Sequence, residues 1–378
     1  MATGVPVTIG AMTQSIGSSG LPDPKAGLDA AVWYVNNELG GIGGHPVKID
    51  LCQDDLTPAT AVACGNQFVS NHDPVVLDTY DHGIAAAVPA LRAAKIPYVG
   101  ELAGDPAIET EAGGFFWTGP LVISVADLMP IMQADNVKRA GFVGPDLTAV
   151  HTYFDKAVNP MAKRIGITID VTYIDPATTS FDSVATTLQK ASPDLIGNVG
   201  LTEDQVTSLI SSLRTQGWTK PLFGSSASKF VHDLPGEQYK GVTIAPRTWL
   251  PAAEQWAPAT TKQQLADFEN ALTQSGHKGM DSDKSIYAFA SLVNLVQILN
   301  AQKVTDVTSA NIVAAIEATA NMPSFLGPTL TCNGTIFPRY PTACTNEGIY
   351  FTVQSDGSFK PGVSDGFAPL DLKTLFGS

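Results

Sequence analysis

Strand and helix signals alternate along this chain with a regularity that few folds accommodate. An apolar run over 5–11 reads as a buried strand. Leu28, Ala31, Val32, Val35 and Leu39 then repeat at helical spacing over 26–39, and Gly40 with Gly41 stops that helix. A second strand is expected at 47–51, followed by a helix over 58–69 with Thr57 as N-cap and Pro58 in its first position. Runs at 75–77, 84–94 and 97–99 continue the alternation. The pattern restarts with a strand at 140–143, a helix at 153–164 and a strand at 167–173, then 181–190, 195–199, 203–216 and 222–223. Such alternation specifies parallel sheets covered by helices on both faces. Two βαβ lobes are therefore expected, joined near 118–120. Beyond Ile244 the spacing predicts three helices, at 259–275, 284–301 and 308–318, and then short, turn-rich strands such as 348–353.

A chain of 378 residues is long enough for two ordinary domains. Its charged fraction is only 15% and its net charge is −14, which argues against nucleic-acid or anionic-membrane partners, since both select basic surfaces. No window approaches the roughly 20 apolar residues that span a bilayer. The first residues, Met1 to Val5, carry neither a basic nor an apolar leader region. The chain thus reads either as cytosolic or as a mature exported chain behind an added Met. Four cysteines bear on that choice. Cys52 and Cys64 are separated by twelve, and so are Cys332 and Cys344. Local pairing, 52–64 with 332–344, is the economical one of three connectivities. Neither couple has zinc-site spacing, and two disulfides imply an oxidising compartment.

Open parallel sheets bind ligands beyond the carboxyl ends of their strands. The loops expected there are 13–21, 78–83, 100–105, 144–150 and 224–229, rich in Gly, Ser and Thr. The segment DTYDHGIAAA (78–87) puts Asp78, Asp81 and His82 within five residues after an apolar strand. It reads as a metal site, an acid/base centre, or a polar loop that holds a ligand unchanged. Enzyme signatures do not accompany it: there is no Gly-x-Ser-x-Gly elbow, His-Glu-x-x-His pair or phosphate-binding Gly-rich loop. The six histidines are scattered, with no two at i,i+4. The glycines at 40–44 follow a helix and form a turn. Asn333-Gly334-Thr335, a glycosylation sequon, marks an exposed loop between Cys332 and Cys344. The residues therefore indicate no catalytic group, no metal and no cofactor, and leave the 78–83 loop either as a solvated loop with an Asp-His hydrogen bond or as a ligand contact.

The runs IGAMTQSIGSSG (9–20) and GLDAAVWYVNNELGGIGGHPVKIDLCQDDLTPATAVACGNQFV (27–69) closely resemble the start of the leucine/isoleucine/valine-binding proteins. KIPYVGELAGDP (95–106), SFDSVATTLQKASPDLIG (180–197) and LRTQGWTKPLFGSS (213–226) follow in family order, so the likeness spans essentially the whole chain and weakens after 250. The resemblance implies an α/β, type I periplasmic-binding fold: two doubly wound parallel-sheet lobes joined by a three-stranded hinge. Hinge crossings are then expected near 118–121, 246–250 and 327–331. One lobe would be 1–120 plus 250–328 and the other 121–249 plus 329–378, with a ligand cleft between them.

The resemblance further implies an extracytoplasmic solute-binding protein of an ABC importer. It would be periplasmic, extracellular or lipid-anchored and monomeric, and would hand a small carboxylate-bearing metabolite, an amino acid or related compound, to permease subunits. The same importer class with an aromatic acid or amide is the alternative ligand reading. A ligand-sensing domain of a receptor or regulator is the alternative function. Carried over by position, the site comprises Ser18 and Ser19, in place of a covering tyrosine, and His82 and Gly83, in place of a carboxylate-binding serine. Ala103 and Gly104 offer backbone, Thr148 and Ala149 replace a stacking aromatic, and Ser226 replaces the acid that meets an ammonium. Tyr80 and Asp81 join the set as neighbours, and Asp81, Asp78 or Glu101 is the expected substitute for the missing acid. Tyr80, Trp117 or Trp249 is the expected replacement for the missing aromatic walls.

Overall fold

The computed structural model describes the chain apart from residues 18, 19, 104, 121, 122, 124, 125, 227, 365 and 378, and the side chains of all described helix and strand residues except 106, 134 and 149. It divides into two compact units, Met1–Leu121 with Pro258–Glu347, and Val122–Ala257 with Gly348–Ser378. The chain thus passes from one unit to the other three times, at 121/122, 257/258 and 347/348.

In the first unit, β1 (Val7–Gln14), β2 (Val47–Asp54), β3 (Val76–Asp78), β4 (Tyr98–Gly100) and β5 (Gly114–Phe116) form a sheet of order β2-β1-β3-β4-β5. Every pairing is parallel. β5 was not legible in the sequence, because a Gly-Phe-Phe triplet preceded by another glycine carries no periodicity. Helix α1 (Pro22–Asn37) packs against the helix Asp283–Ala301. Their approach is set by Gly27, where a Cβ would lie 2.0 Å from the Ser285 carbonyl oxygen. Helices α2 (Pro58–Asn71) and α3 (Val88–Ala93) supply Phe68 and Leu91 to a core with Met12, Val76, Tyr98 and Phe116. The expected single helix over 84–94 is a 3₁₀ turn, Ile84–Ala86, followed by α3. Pro89, just inside α3, suits a helix start better than a helix interior.

Residues 329–347, expected in the other lobe, build onto the first unit instead. Cys344 N–H donates to Phe116 O (3.2 Å), Phe116 N–H to Thr342 O (2.9 Å) and Thr331 N–H to Cys344 O (2.7 Å). Both disulfides, Cys52–Cys64 and Cys332–Cys344, form as the local pairing required, and both belong to this unit.

In the second unit, after helix α4 (Leu128–Ala134), come β6 (Arg139–Pro145), β7 (Thr168–Ile174), β8 (Leu195–Asn198), β9 (Leu222–Phe223) and β10 (Val242–Ile244). These five are parallel neighbours in the order β10-β9-β8-β6-β7. β11 (Phe351–Val353) and β12 (Phe359–Pro361) extend the sheet antiparallel beside β10. Between β6 and β7 lie α5 (Thr148–Tyr153), a π-turn (Phe154–Val158) and α6 (Asn159–Arg164). The helix Glu203–Thr215 that follows β8 opens on a complete capping box, Thr202 with Gln205. Among the described residues no helix is long and apolar enough to cross a membrane.

Candidate functional site

The order β2-β1-β3 places the topological switch of the first unit at β1, where crossover direction reverses and a parallel sheet leaves a crevice. Asp54 ends β2 and Asp78 ends β3, so two carboxylates flank the end of β1. Thr79 fastens the next turn to β1 by donating its hydroxyl to Met12 O (2.7 Å). Tyr80 then takes a left-handed backbone (φ +70°), which turns the chain back. Asp81 is fully buried; its N–H donates to Asp78 Oδ1 (2.9 Å), and its own Oδ1 accepts from Gly83 N–H (2.7 Å).

Asp81 therefore closes a tight turn onto Gly83, the residue that precedes the 3₁₀ turn. The N–H of Gly83, expected to meet a ligand carboxylate, is already committed to a carboxylate of the protein. Gly83 is also required sterically, since a Cβ there would lie 2.1 Å from Asp54 Oδ2. Burial, then the charge of Asp78, push the Asp81 carboxyl well above the ordinary range, against the Gly83 N–H, and nearby Asp54 adds to the rise. Burial raises Asp54 as well. His82 is exposed, and its ring stands edge-on to Tyr80 at 4.8 Å, with Tyr80 also 5.5 Å from the Tyr287 ring. Tyr80, Asp81, His82 and Gly83 thus form one loop that carries a buried acid and two adjoining aromatic rings.

The other first-unit positions separate. Ala103 is buried in the hydrophobic core beside Ile108. Ser18, Ser19 and Gly104 lie outside the described residues. Glu101 turns inward, where Asn294 Nδ2 donates to its Oε2 (3.2 Å), so it is not the substitute acid. Trp117 is buried and donates to Ser291 O (3.2 Å), and Trp249, in the second unit, is buried against Phe351. Both tryptophans serve cores, which corrects the expectation that they replace the missing walls.

Ser291 was missed by sequence reasoning. Its hydroxyl donates to Tyr287 O in its own helix (2.7 Å) and accepts from Glu101 N–H (2.8 Å), with Asp78 O 3.4 Å away. One serine on the 283–301 helix thereby holds the end of β4 and lies beside the end of β3. The available signal was a hydroxyl within an otherwise apolar helix. Asp54 was also missed, although a strand-ending acid within the motif that carried the family likeness pointed to it.

In the second unit β6 lies between β8 and β7, and the strand-end loops there hold the remaining positions. Thr148 is exposed in the first turn of α5, adjoining Ala149. Near it His151 stacks on Tyr173 at 3.7 Å, with Nε2 2.8 Å from Asp146 Oδ1. Ser226 is half-buried in the turn after β9. That turn is fixed by Glu203 Oε2, which accepts from Ser228 and Lys229 N–H, both at 3.0 Å. At the end of β8, buried Asn198 donates to Phe223 O (3.1 Å) while its Oδ1 accepts no hydrogen bond among the described residues.

The comparisons agree with this architecture. The family profile described as periplasmic binding protein matches residues 6–340. Among solved structures, a solute-binding protein from R. palustris in complex with 4-hydroxybenzoate is 16% identical, with TM-score 0.70 over 97% of each chain. The branched-chain amino acid transporter substrate binding protein LivJ from Streptococcus pneumoniae, in complex with isoleucine, is 17% identical, with TM-score 0.70 over 94% of this chain and 97% of that one. An extracellular ligand-binding receptor from Verminephrobacter eiseniae is 15% identical, with TM-score 0.76 over 94% and 99%. No curated protein matches the sequence. With most of its length matched by the family profile and its two parallel-sheet units in place, the chain belongs to the periplasmic binding protein family.

Proposed function

We propose that the chain is the extracytoplasmic solute-binding subunit of an ABC importer, and that it captures a small carboxylate-bearing metabolite, an amino acid or a close relative, without chemical turnover. The observation that carries the amino-acid reading is Asp81, a buried carboxyl at the switch point of the first unit. Where relatives keep an acid for the ammonium, this chain has Ser226, and a buried unpaired ammonium is costly. Asp81 supplies the missing partner from the first unit: an arriving cation compensates the burial that holds its carboxyl largely protonated. Because the Gly83 N–H is committed to Asp81, the ligand carboxylate takes its donors elsewhere. The bound solute then passes to permease subunits, with the protein acting as a monomer in the periplasm or at the cell exterior.

A second reading, an aromatic acid, is favoured by the Tyr80 and His82 rings at the tip of the same loop. Relatives of this fold include structures solved with isoleucine and with 4-hydroxybenzoate. A thermal-shift screen of amino acids, aromatic acids and amides, beside sugars and nucleosides, tests the class. Stabilisation by an amino or aromatic acid is expected, and a response confined to sugars or nucleosides would overturn the reading.

A further inference from the structure

Of all the asparagines in the chain, Asn333 alone is followed by glycine. The pair sits in an irregular loop between the bonded Cys332 and Cys344, with Asn333 and Thr335 exposed and Gly334 half-buried. Gly334 is left-handed (φ +72°), a conformation that glycine adopts without steric cost. A Cβ there would find its nearest neighbour 3.9 Å away, at Pro341, so the turn is uncrowded. The Asn333 side chain folds forward over the pair: its Oδ1 accepts from Thr335 N–H (3.1 Å) and from the Thr335 hydroxyl (2.6 Å). The ring closed by the first of these bonds contains both the side-chain carbonyl carbon and the Gly334 nitrogen. Among the described residues the Gly334 N–H donates to no acceptor, and neither does Asn333 Nδ2.

We propose that this turn makes Asn333 a site of spontaneous deamidation. The Gly334 nitrogen loses its proton to hydroxide and attacks Asn333 Cγ. The Cγ–Nδ2 bond breaks, Nδ2 leaves as ammonia with a proton taken from water, and a succinimide ring remains. Water then opens either carbonyl of that ring, giving aspartate when the original main chain is restored and isoaspartate when the chain runs through the side-chain carbon. Negative charge develops on Oδ1 during the attack, where the Thr335 N–H and hydroxyl already donate, and donors fixed in advance at such an oxygen lower the barrier. A second turn supplies the contrast. Ser358 N–H and hydroxyl donate in the same way to Asp356 Oδ1, ahead of Gly357. Those bonds hold the Asp356 carboxyl below its ordinary range, and an ionised carboxylate resists attack. The Gly357 N–H is also engaged, with Gln354 O at 3.0 Å. Reaction at Asn333 adds a negative charge to the loop and removes the acceptor amide of the glycosylation sequon. The Cys332–Cys344 disulfide keeps the loop ends joined, so the first unit stays folded.

Incubation of the whole protein at pH 7.4 and pH 9 in isotopically labelled water, with ammonia assay and peptide mapping, tests the assignment. Asn333 is expected to lose its amide before any other asparagine, faster at pH 9, with ammonia released in step and one heavy oxygen incorporated. Isoaspartate should appear at 333 and not at 356. Gly334→Ala, which shields the attacking nitrogen, is expected to slow the loss at least tenfold. Thr335→Val, which removes only the hydroxyl donor, should slow it severalfold at the parent melting temperature. An Asn333 that outlasts any other asparagine, no ammonia at either pH, or a rate indifferent to Thr335→Val would overturn the proposal. Should Gly334→Ala fail to fold, Thr335→Val and the order of reaction in the parent decide the question alone.

Discussion

Arg247 Nη1 lies 2.8 Å from Asp127 Oδ2, and the two side chains are 2% and 1% exposed. Burial outweighs the guanidinium and lifts the Asp127 carboxyl to about 6. Arg247 keeps Nε and Nη2 without acceptors among the described residues, and its backbone is left-handed (φ +70°). Removing one partner of such a pair strands a buried charge, which costs about 3–5 kcal/mol. Asp127→Ala should lose that much in urea unfolding at pH 7.5. The double change Asp127→Leu with Arg247→Met should recover most of it. A double variant as unstable as the single one would mean that shape, not charge, governs the site.

Asp73 gives the pH dependence a sign. Burial, then the hydrogen bond and charge of Asp50, push its carboxyl up to about 7 from an ordinary 3.8. A raised folded value means that its contribution to stability is complete below about pH 4 and is lost as pH rises through 7. Asp73→Asn cannot ionise, so it should gain roughly 1–2 kcal/mol on the parent between pH 4.5 and pH 8. Melting curves at the two pH values check this, and a constant difference would contradict it.

Both disulfides close short loops within the first unit, each with a sequence separation of 12. Chain entropy assigns such a loop about 3 kcal/mol. Reduction, or Cys332→Ala with Cys344→Ala, should lower the unfolding midpoint of the first unit and leave the second unit's protection unchanged. Hydrogen exchange resolved by segment distinguishes the two units, and equal loss of protection in both would refute the assignment.

Gly27 couples packing to the site. A methyl at 27 meets the Ser285 carbonyl at 2.0 Å, so Gly27→Ala must push α1 away from the 283–301 helix. Overpacking of this kind costs about 1–3 kcal/mol. Because Ser291 on the same helix holds the end of β4 beside that of β3, ligand affinity should fall with stability. Affinity unchanged at lowered stability would uncouple the helix from the site.

What the sequence made legible was what repeats. The period of 3.6 in Leu28, Ala31, Val32 and Val35 located α1, and equal cysteine separations located both disulfides. What it hid depends on contacts between distant segments. Nothing local tells that 329–347 packs beside Phe116, or that Glu101 faces Asn294 and not solvent. The loop 78–83 was visible as chemistry, but its geometry was not. A serine-like donor role was expected at Gly83, whereas Asp81 takes that donor for itself. Such local capping by Asp competes with ligand contacts whenever the backbone turns tightly enough, as it does at Tyr80.

The measurement that tests the account most directly is calorimetric titration of the best acid from the screen into the parent, Asp81→Asn and His82→Ala. The ligand is recovered afterwards and its mass checked. The account predicts saturable one-to-one binding, recovery of the ligand unaltered, and more than tenfold weakening (about 1.4 kcal/mol) by His82→Ala. An amino acid should be weakened as much by Asp81→Asn, and an aromatic acid without an amine should not. Binding indifferent to both substitutions, or a chemically altered ligand, would contradict it.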